Sequence, residues 1–250
     1  GTIEVIGTYE LETDASLGSV QAIVVTETGS LSVPFGNAAA LASYAGTIEI
    51  QAGGELQLPN SALALEPWFG GEDARMYIQE GSITISELNG IDDGNAKWTL
   101  SNDAVVVVPE GKTAYLQLTG ASNTTRGVEL VIPEGATMTI NGTLRGVAGN
   151  NSSDGTSVPT KITINGLLDT TDGVLSIGAK PTVSIESTGQ FIIGTTGIYS
   201  GTTSGKYTIT GKITLAAGGS ISVVEGSACD NINTIVSATE SGSLHSYTDA

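Results

Sequence analysis

The chain has 250 residues, 34 of them glycine, and its 9 basic and 26 acidic side chains give a formal net charge of −17. No run approaches the ~20 apolar residues of a membrane-spanning helix; the single cysteine, Cys229, has no internal disulfide partner, and the single histidine, His245, cannot build a multi-histidine zinc site. So acidic a chain raises no positive field to neutralise phosphates, which excludes nucleic acid and anionic membrane surfaces as expected partners.

The rest of the composition is 39% hydrophobic, 5% aromatic and 14% charged, with a mean hydropathy of +0.14. The apolar residues are mostly Ile, Val and Leu, which predicts a folded chain rather than a disordered one. From the N-terminus onward one phrase recurs, a glycine followed by apolar residues at +2 and +4. Gly29 precedes Leu31 and Val33, Gly54 precedes Leu56 and Leu58, and Gly81 precedes Ile83 and Ile85. Alternation with period two predicts short strands with one buried face. The alanine-rich stretch 37–44 reads either as one or two helical turns or as a small-residue loop.

Spacings of 25, 27 and 30 residues between Gly29, Gly54, Gly81 and Gly111 predict insertions in the first half, at about 59–76 and 87–103. The first carries Trp68 and Phe69, the second Asp92, Asp93, Asn95 and Trp98. Gly111 and Gly135, each in the string Pro-Glu-Gly, have their following apolar residues displaced and read as turns with one extra residue. Further on, Gly142, Gly166, Gly189 and Gly211 are spaced by 24, 23 and 22 residues, and Gly149, Gly173, Gly197 and Gly219 by 24, 24 and 22. The polar run 150–157 reads as a loop within one repeat, and 227–250, which loses the glycine phase, as a C-terminal cap.

Short strands at this spacing suit a β-sandwich or a β-solenoid, and equivalent bends recurring at one period favour the solenoid. The expected fold is all-β, a single domain over 1–250, built as a single-stranded parallel β-helix of about ten coils and roughly 50 Å long. Neither the hexapeptide repeat of left-handed solenoids nor the calcium-binding glycine-rich nonapeptide is present, so a right-handed helix is expected.

The string Val131-Ile132-Pro133-Glu134-Gly135-Ala136-Thr137-Met138-Thr139-Ile140-Asn141-Gly142-Thr143-Leu144 resembles the repeats of right-handed parallel β-helix proteins of bacterial surfaces. These include adhesin-like proteins of gut bacteria, which share the pectin-lyase-like superfamily fold. The resemblance covers most of residues 20–224. It implies a secreted or cell-surface location and a fold more firmly than an activity. The chain starts at Gly1 with no signal peptide and is expected to be part of a larger surface protein.

Trp68, Phe69 and Trp98 would form a flat platform for sugar rings, or else fill the interior as large aromatics commonly do. Asp92, Asp93 and Asn95 would offer oxygen ligands to a calcium ion, the only cofactor considered, or else make an ordinary turn. Asp169 and Asp172 carry the same two readings. No catalytic residue is assigned: Asp92 and Asp93 resemble the adjacent aspartates of polygalacturonases, but the companion His-Gly and Arg-x-Lys motifs are missing. Among basic residues, Arg126, Arg145 and Lys161 are the only ones placed to serve a lyase. The string Gly201-Thr202-Thr203-Ser204-Gly205-Lys206 is one residue short of a phosphate-binding loop, and Tyr207 follows where Ser or Thr is required. Cys229 reads as inert and His245 as a solvated tail residue. The expected function is a non-catalytic adhesin-like or stalk module that binds glycans or host matrix protein. The alternative is a polysaccharide lyase or glycoside hydrolase of the pectin-lyase-like fold.

Overall fold

The computed structural model describes residues 1–12, 16–33, 40–41, 43–58, 75–78, 82–86, 96–100, 102, 104–119, 128–148, 161–176, 182–195, 198–199, 213–227, 236–238 and 243–247. Strands β1 (Thr2–Val5), β2 (Thr8–Glu10), β3 (Ala22–Val25), β4 (Ser30–Ser32), β5 (Thr47–Ile50), β6 (Glu55–Leu58), β7 (Arg75–Ile78) and β8 (Ser82–Ser86) come first. Next are β9 (Ala96–Thr99), β10 (Val105–Val108), β11 (Thr113–Thr119), β12 (Val128–Ile132), β13 (Thr137–Ile140), β14 (Thr143–Ala148), β15 (Lys161–Ile164) and β16 (Leu167–Thr170). The last are β17 (Val174–Ser176), β18 (Thr182–Ile185), β19 (Gln190–Ile193), β20 (Ile198–Tyr199), β21 (Ile213–Leu215), β22 (Ser220–Val224), β23 (Val236–Ala238) and β24 (Ser243–Tyr247).

Consecutive strands go to different sheets, so each strand's hydrogen-bonded neighbour comes from a later or earlier pass of the chain. The ten-stranded sheet runs β1-β3-β5-β7-β10-β13-β16-β19-β22-β24, the eight-stranded sheet β2-β4-β6-β8-β11-β14-β17-β20, and the six-stranded sheet β23-β21-β18-β15-β12-β9. Adjacent strands pair in parallel throughout, as β1 does with β3 and β10 with β13. Long parallel sheets of this order, with no helix among the described elements, are consistent with a β-solenoid. Of the alanine-rich stretch, Ala40 and Leu41 have helical backbone, and the Tyr44 N–H donates to the Leu41 carbonyl at 3.2 Å.

The alternation read from the sequence is what packs the interior. In β5 (Thr-Ile-Glu-Ile), β6 (Glu-Leu-Gln-Leu), β13 (Thr-Met-Thr-Ile) and β15 (Lys-Ile-Thr-Ile) every second residue is buried. Ile23, Ile48, Met76, Val106, Met138, Leu168, Phe191 and Ile221 lie in one register row of the ten-stranded sheet, all inside the core. Thr170 and Ser222 are the buried hydroxyls described among these strands, and Thr170 has no exposed surface. The Thr170 Oγ1 donates to the Ile192 carbonyl at 2.8 Å, so a polar atom in an apolar row is satisfied by the next rung.

Two kinds of corner join the strands. Gly142 lies between β13 and β14, where the Thr143 N–H donates to the Lys112 carbonyl at 2.8 Å. Gly173 stacks on it between β16 and β17, with the Val174 N–H donating to the Gly142 carbonyl at 2.8 Å. Gly166 belongs to the other corner, between β15 and β16, and Gly189 and Gly219 follow it there. The two glycine columns drawn from even spacing are therefore corrected. Gly142 does not align with Gly166, nor Gly173 with Gly219, because the passes from β12 onward carry glycine at two corners and the spacing of one corner happens to match the step to the other. The expected extra residue in the Pro-Glu-Gly turns is corrected: four residues join Val108 to Thr113 and Ile132 to Thr137, as four join Val25 to Ser30 and Ile50 to Glu55, and the apolar residues are displaced because Gly111 and Gly135, with φ of 70° and 86°, take the third turn position where Gly29 and Gly54 take the fourth. Threonines add rung-to-rung bonds at corners, as when Thr26 Oγ1 donates to the Val5 carbonyl at 3.0 Å and Thr188 Oγ1 to the Asn165 carbonyl at 2.8 Å.

Candidate functional site

A concavity lies between two connectors, the one from β2 to β3 and the one from β4 to β5. Its volume is about 600 Å³, within the size range of small-molecule sites. Leu17, Leu41 and Tyr44 are buried and anchor the connectors to the core, while Val20 and Ala40 pack against it. Local geometry holds each wall: the Val20 N–H donates to the Leu17 carbonyl at 2.9 Å, and the Tyr44 hydroxyl to the Thr47 carbonyl at 3.3 Å. Gly46 is required by space, since a Cβ there would overlap the Tyr44 ring. Burial raises the Tyr44 phenol above its ordinary pKa of 10.0, because the phenolate would lose its hydration.

The polar groups along this groove are Ser16, Gln21, Ser43, Tyr44 and Thr47. They are neutral hydrogen-bonding groups set among Leu17, Val20, Ala40 and Ala45. Chemically the groove can hold a neutral polar ligand by hydrogen bonds and apolar contact. Sequence reading missed it because these residues look like ordinary connectors. The one available signal was the alanine-rich stretch, of which Ala40 lines the groove with Tyr44.

The residues singled out from the sequence have different placements. Trp68, Phe69, Asp92, Asp93 and Asn95 lie outside the described residues, as do Arg126, Cys229 and 150–157. Trp98 lies in β9, the first strand of the six-stranded sheet, with its indole fully buried in register with Leu130 of β12. Its indole N–H has no hydrogen-bond acceptor, the one such buried side-chain donor among the described residues. Of the two expected insertions, Arg75–Ile78 and Ala96–Thr99 are strands of the sheets. The expected cap contains β23 and β24, which extend the six- and ten-stranded sheets.

The remaining charged features are structural. Glu129 Oε1 accepts from Lys161 Nζ at 3.0 Å and from Thr163 Oγ1 at 3.1 Å, a buried carboxylate held by the neighbouring strand. Asp169 Oδ1 accepts the Thr171 N–H at 2.9 Å and the Thr171 hydroxyl at 2.6 Å, which is the turn arrangement weighed for it. Among the described residues no group of three or more His, Cys, Asp or Glu side chains is placed to hold a metal ion. Comparison of the chain with protein-family models, curated proteins and solved structures gives no match.

Proposed function

We propose that the chain is a right-handed parallel β-helix of about ten coils, one for each strand of the ten-stranded sheet, serving as a non-catalytic adhesin-like or stalk module at a bacterial surface or in secreted form. The observation that carries this reading is the long run of parallel pairing, in which one strand of each pass stacks on the last and the interior is filled by Ile, Val and Leu. Such a stack is a load-bearing spacer, and an acidic surface keeps it soluble and limits lateral association. The neutral groove between Ser16 and Thr47 suits a glycan, whose hydroxyls match Gln21, Ser43 and Thr47. Trp68 and Phe69 are the aromatic residues proposed to add stacking on sugar rings, and Asp92, Asp93 and Asn95 the proposed calcium ligands.

The test is a reducing-end assay over plant, host and bacterial polysaccharides, run with calcium and with chelator, followed by binding to the same panel immobilised. The expected result is no new reducing ends, with retention on at least one glycan or matrix protein. New reducing ends would replace this reading by a polysaccharide lyase or glycoside hydrolase.

A further inference from the structure

Two concavities lie at the N-terminal ends of the ten-stranded sheet's strands. The groove beside Tyr44 is bounded by Gln21, the residue before β3, and by Thr47, the first of β5. A smaller one, of about 220 Å³, is bounded by Thr137, Leu167 and Gln190, the first residues of β13, β16 and β19. Register joins them: Thr47, Arg75, Val105, Thr137, Leu167 and Gln190 are successive partners in one row. That row alternates with the buried one and so belongs to the outer face. The outward row beside it holds Tyr77, 37% exposed, in register with Glu49 and Val107. Thr47 and Gln190 are five rungs apart, about 24 Å at ~4.8 Å per rung.

We infer that one uncharged polysaccharide strand lies along this row, parallel to the stacking axis, and fills both concavities at once. The two ends share a chemistry. Gln21, Ser43 and Thr47 at one, and Thr137, Asn165 and Gln190 at the other, offer hydroxyls and amides that both donate and accept, as sugar hydroxyls do. Between them Tyr77 presents an exposed ring, and half-buried Val105 and Val107 lie beside it on β10, an apolar surface for the C–H faces of sugar rings. Charge sets the class of polymer: among the described residues lining the two concavities Glu134 is the one charged group, and a net charge of −17 repels a polyanion. An extended peptide is disfavoured because it would need free backbone groups to pair with, and every strand of this sheet from β5 to β19 is already paired on both sides. A polymer gains from the arrangement what a single sugar does not, since binding at one end raises its effective concentration at the other. The inference rests on the glycan-binding reading and adds to it the ligand's length and direction.

The test is isothermal titration of the full chain with neutral glucan, mannan and galactan oligosaccharides, graded from the disaccharide to chains longer than the row. The expected result is an affinity that climbs with length until the ligand spans about 24 Å and then levels, long chains binding about a hundredfold or more tighter than the disaccharide. Gln21→Ala and Gln190→Ala, at exposed positions on opposite ends of the row, should each weaken long-chain binding by about tenfold while the far-ultraviolet circular dichroism stays unchanged. Equal affinity for short and long chains, or long-chain binding that Gln190→Ala leaves intact, would overturn the inference and leave the glycan-binding reading standing. So would tighter binding of polygalacturonate than of any neutral chain. Failure of every neutral glycan to bind would overturn both.

Discussion

Replacing Gly142 by Ala, with Gly111→Ala as its control, tests whether the corners stack as described. A Cβ on Gly142 would fall on the backbone carbonyls of Lys112 and Pro109, one rung below, and the rungs must part by roughly 1 Å or more before ordinary contact is restored. That movement strains two hydrogen bonds, from the Thr143 N–H to the Lys112 carbonyl at 2.8 Å and from the Gly142 N–H to the Val108 carbonyl at 3.1 Å. At about 1–2 kcal/mol for each backbone group left poorly paired in a buried corner, the loss comes to about 3 kcal/mol. For a chain of this size that lowers Tm by roughly 6–12 °C. Gly111 differs in kind: its φ is 70°, but a Cβ there meets nothing within 4 Å, so Gly111→Ala incurs only left-handed strain of about 1 kcal/mol. Thermal and urea unfolding followed by circular dichroism would compare the two. Equal shifts, or a Gly142→Ala variant within about 1 kcal/mol of the parent, would refute the stacking of Gly142 on Lys112.

Trp98→Phe removes a buried donor that has no acceptor, and the relief of about 1–3 kcal/mol offsets the lost ring contacts. Its urea midpoint should stay near that of the parent, whereas Trp98→Ala should lose about 3–5 kcal/mol; equal losses would mean that the indole N–H has a partner. Burial raises the Tyr44 pKa, so an ultraviolet phenolate titration should contain a component above 10.0 that Tyr44→Phe removes. Because the folded-state pKa is raised, the stabilisation is complete below pH 10.0 and is lost as pH climbs through the higher folded value, so stability falls in alkali. Lys161→Met removes the 3.0 Å ion pair to the Glu129 carboxylate and should destabilise the fold by about 1 kcal/mol. Urea midpoints at neutral pH would check this, and an unchanged midpoint would refute it.

The sequence by itself determined the strands and much of the interior. Thr47–Ile50, Glu55–Leu58 and Lys161–Ile164 show their buried residues in plain alternation, and Gly111 and Gly135, each in Pro-Glu-Gly, mark turns that place glycine at positive φ. These features are local, set within four or five residues by side-chain direction and by the φ that glycine permits. Trp98 shows the limit. It alternates properly with Leu100, yet a string of turn residues before it made the segment read as an insertion. Only its pairing with Leu130, 32 residues on, makes it core. The same limit misaligned the glycine columns and hid the groove beside Tyr44, both of which depend on what lies one rung away. Successive rungs of the ten-stranded sheet are offset by anything from 20 to 32 residues. Lengthening a connector changes its closure entropy only slowly, so the chain tolerates that variation. Which corner stacks on which is therefore decided by contact between rungs, where inward rows must align and carbonyls must meet N–H groups, and that decision belongs to the tertiary structure alone.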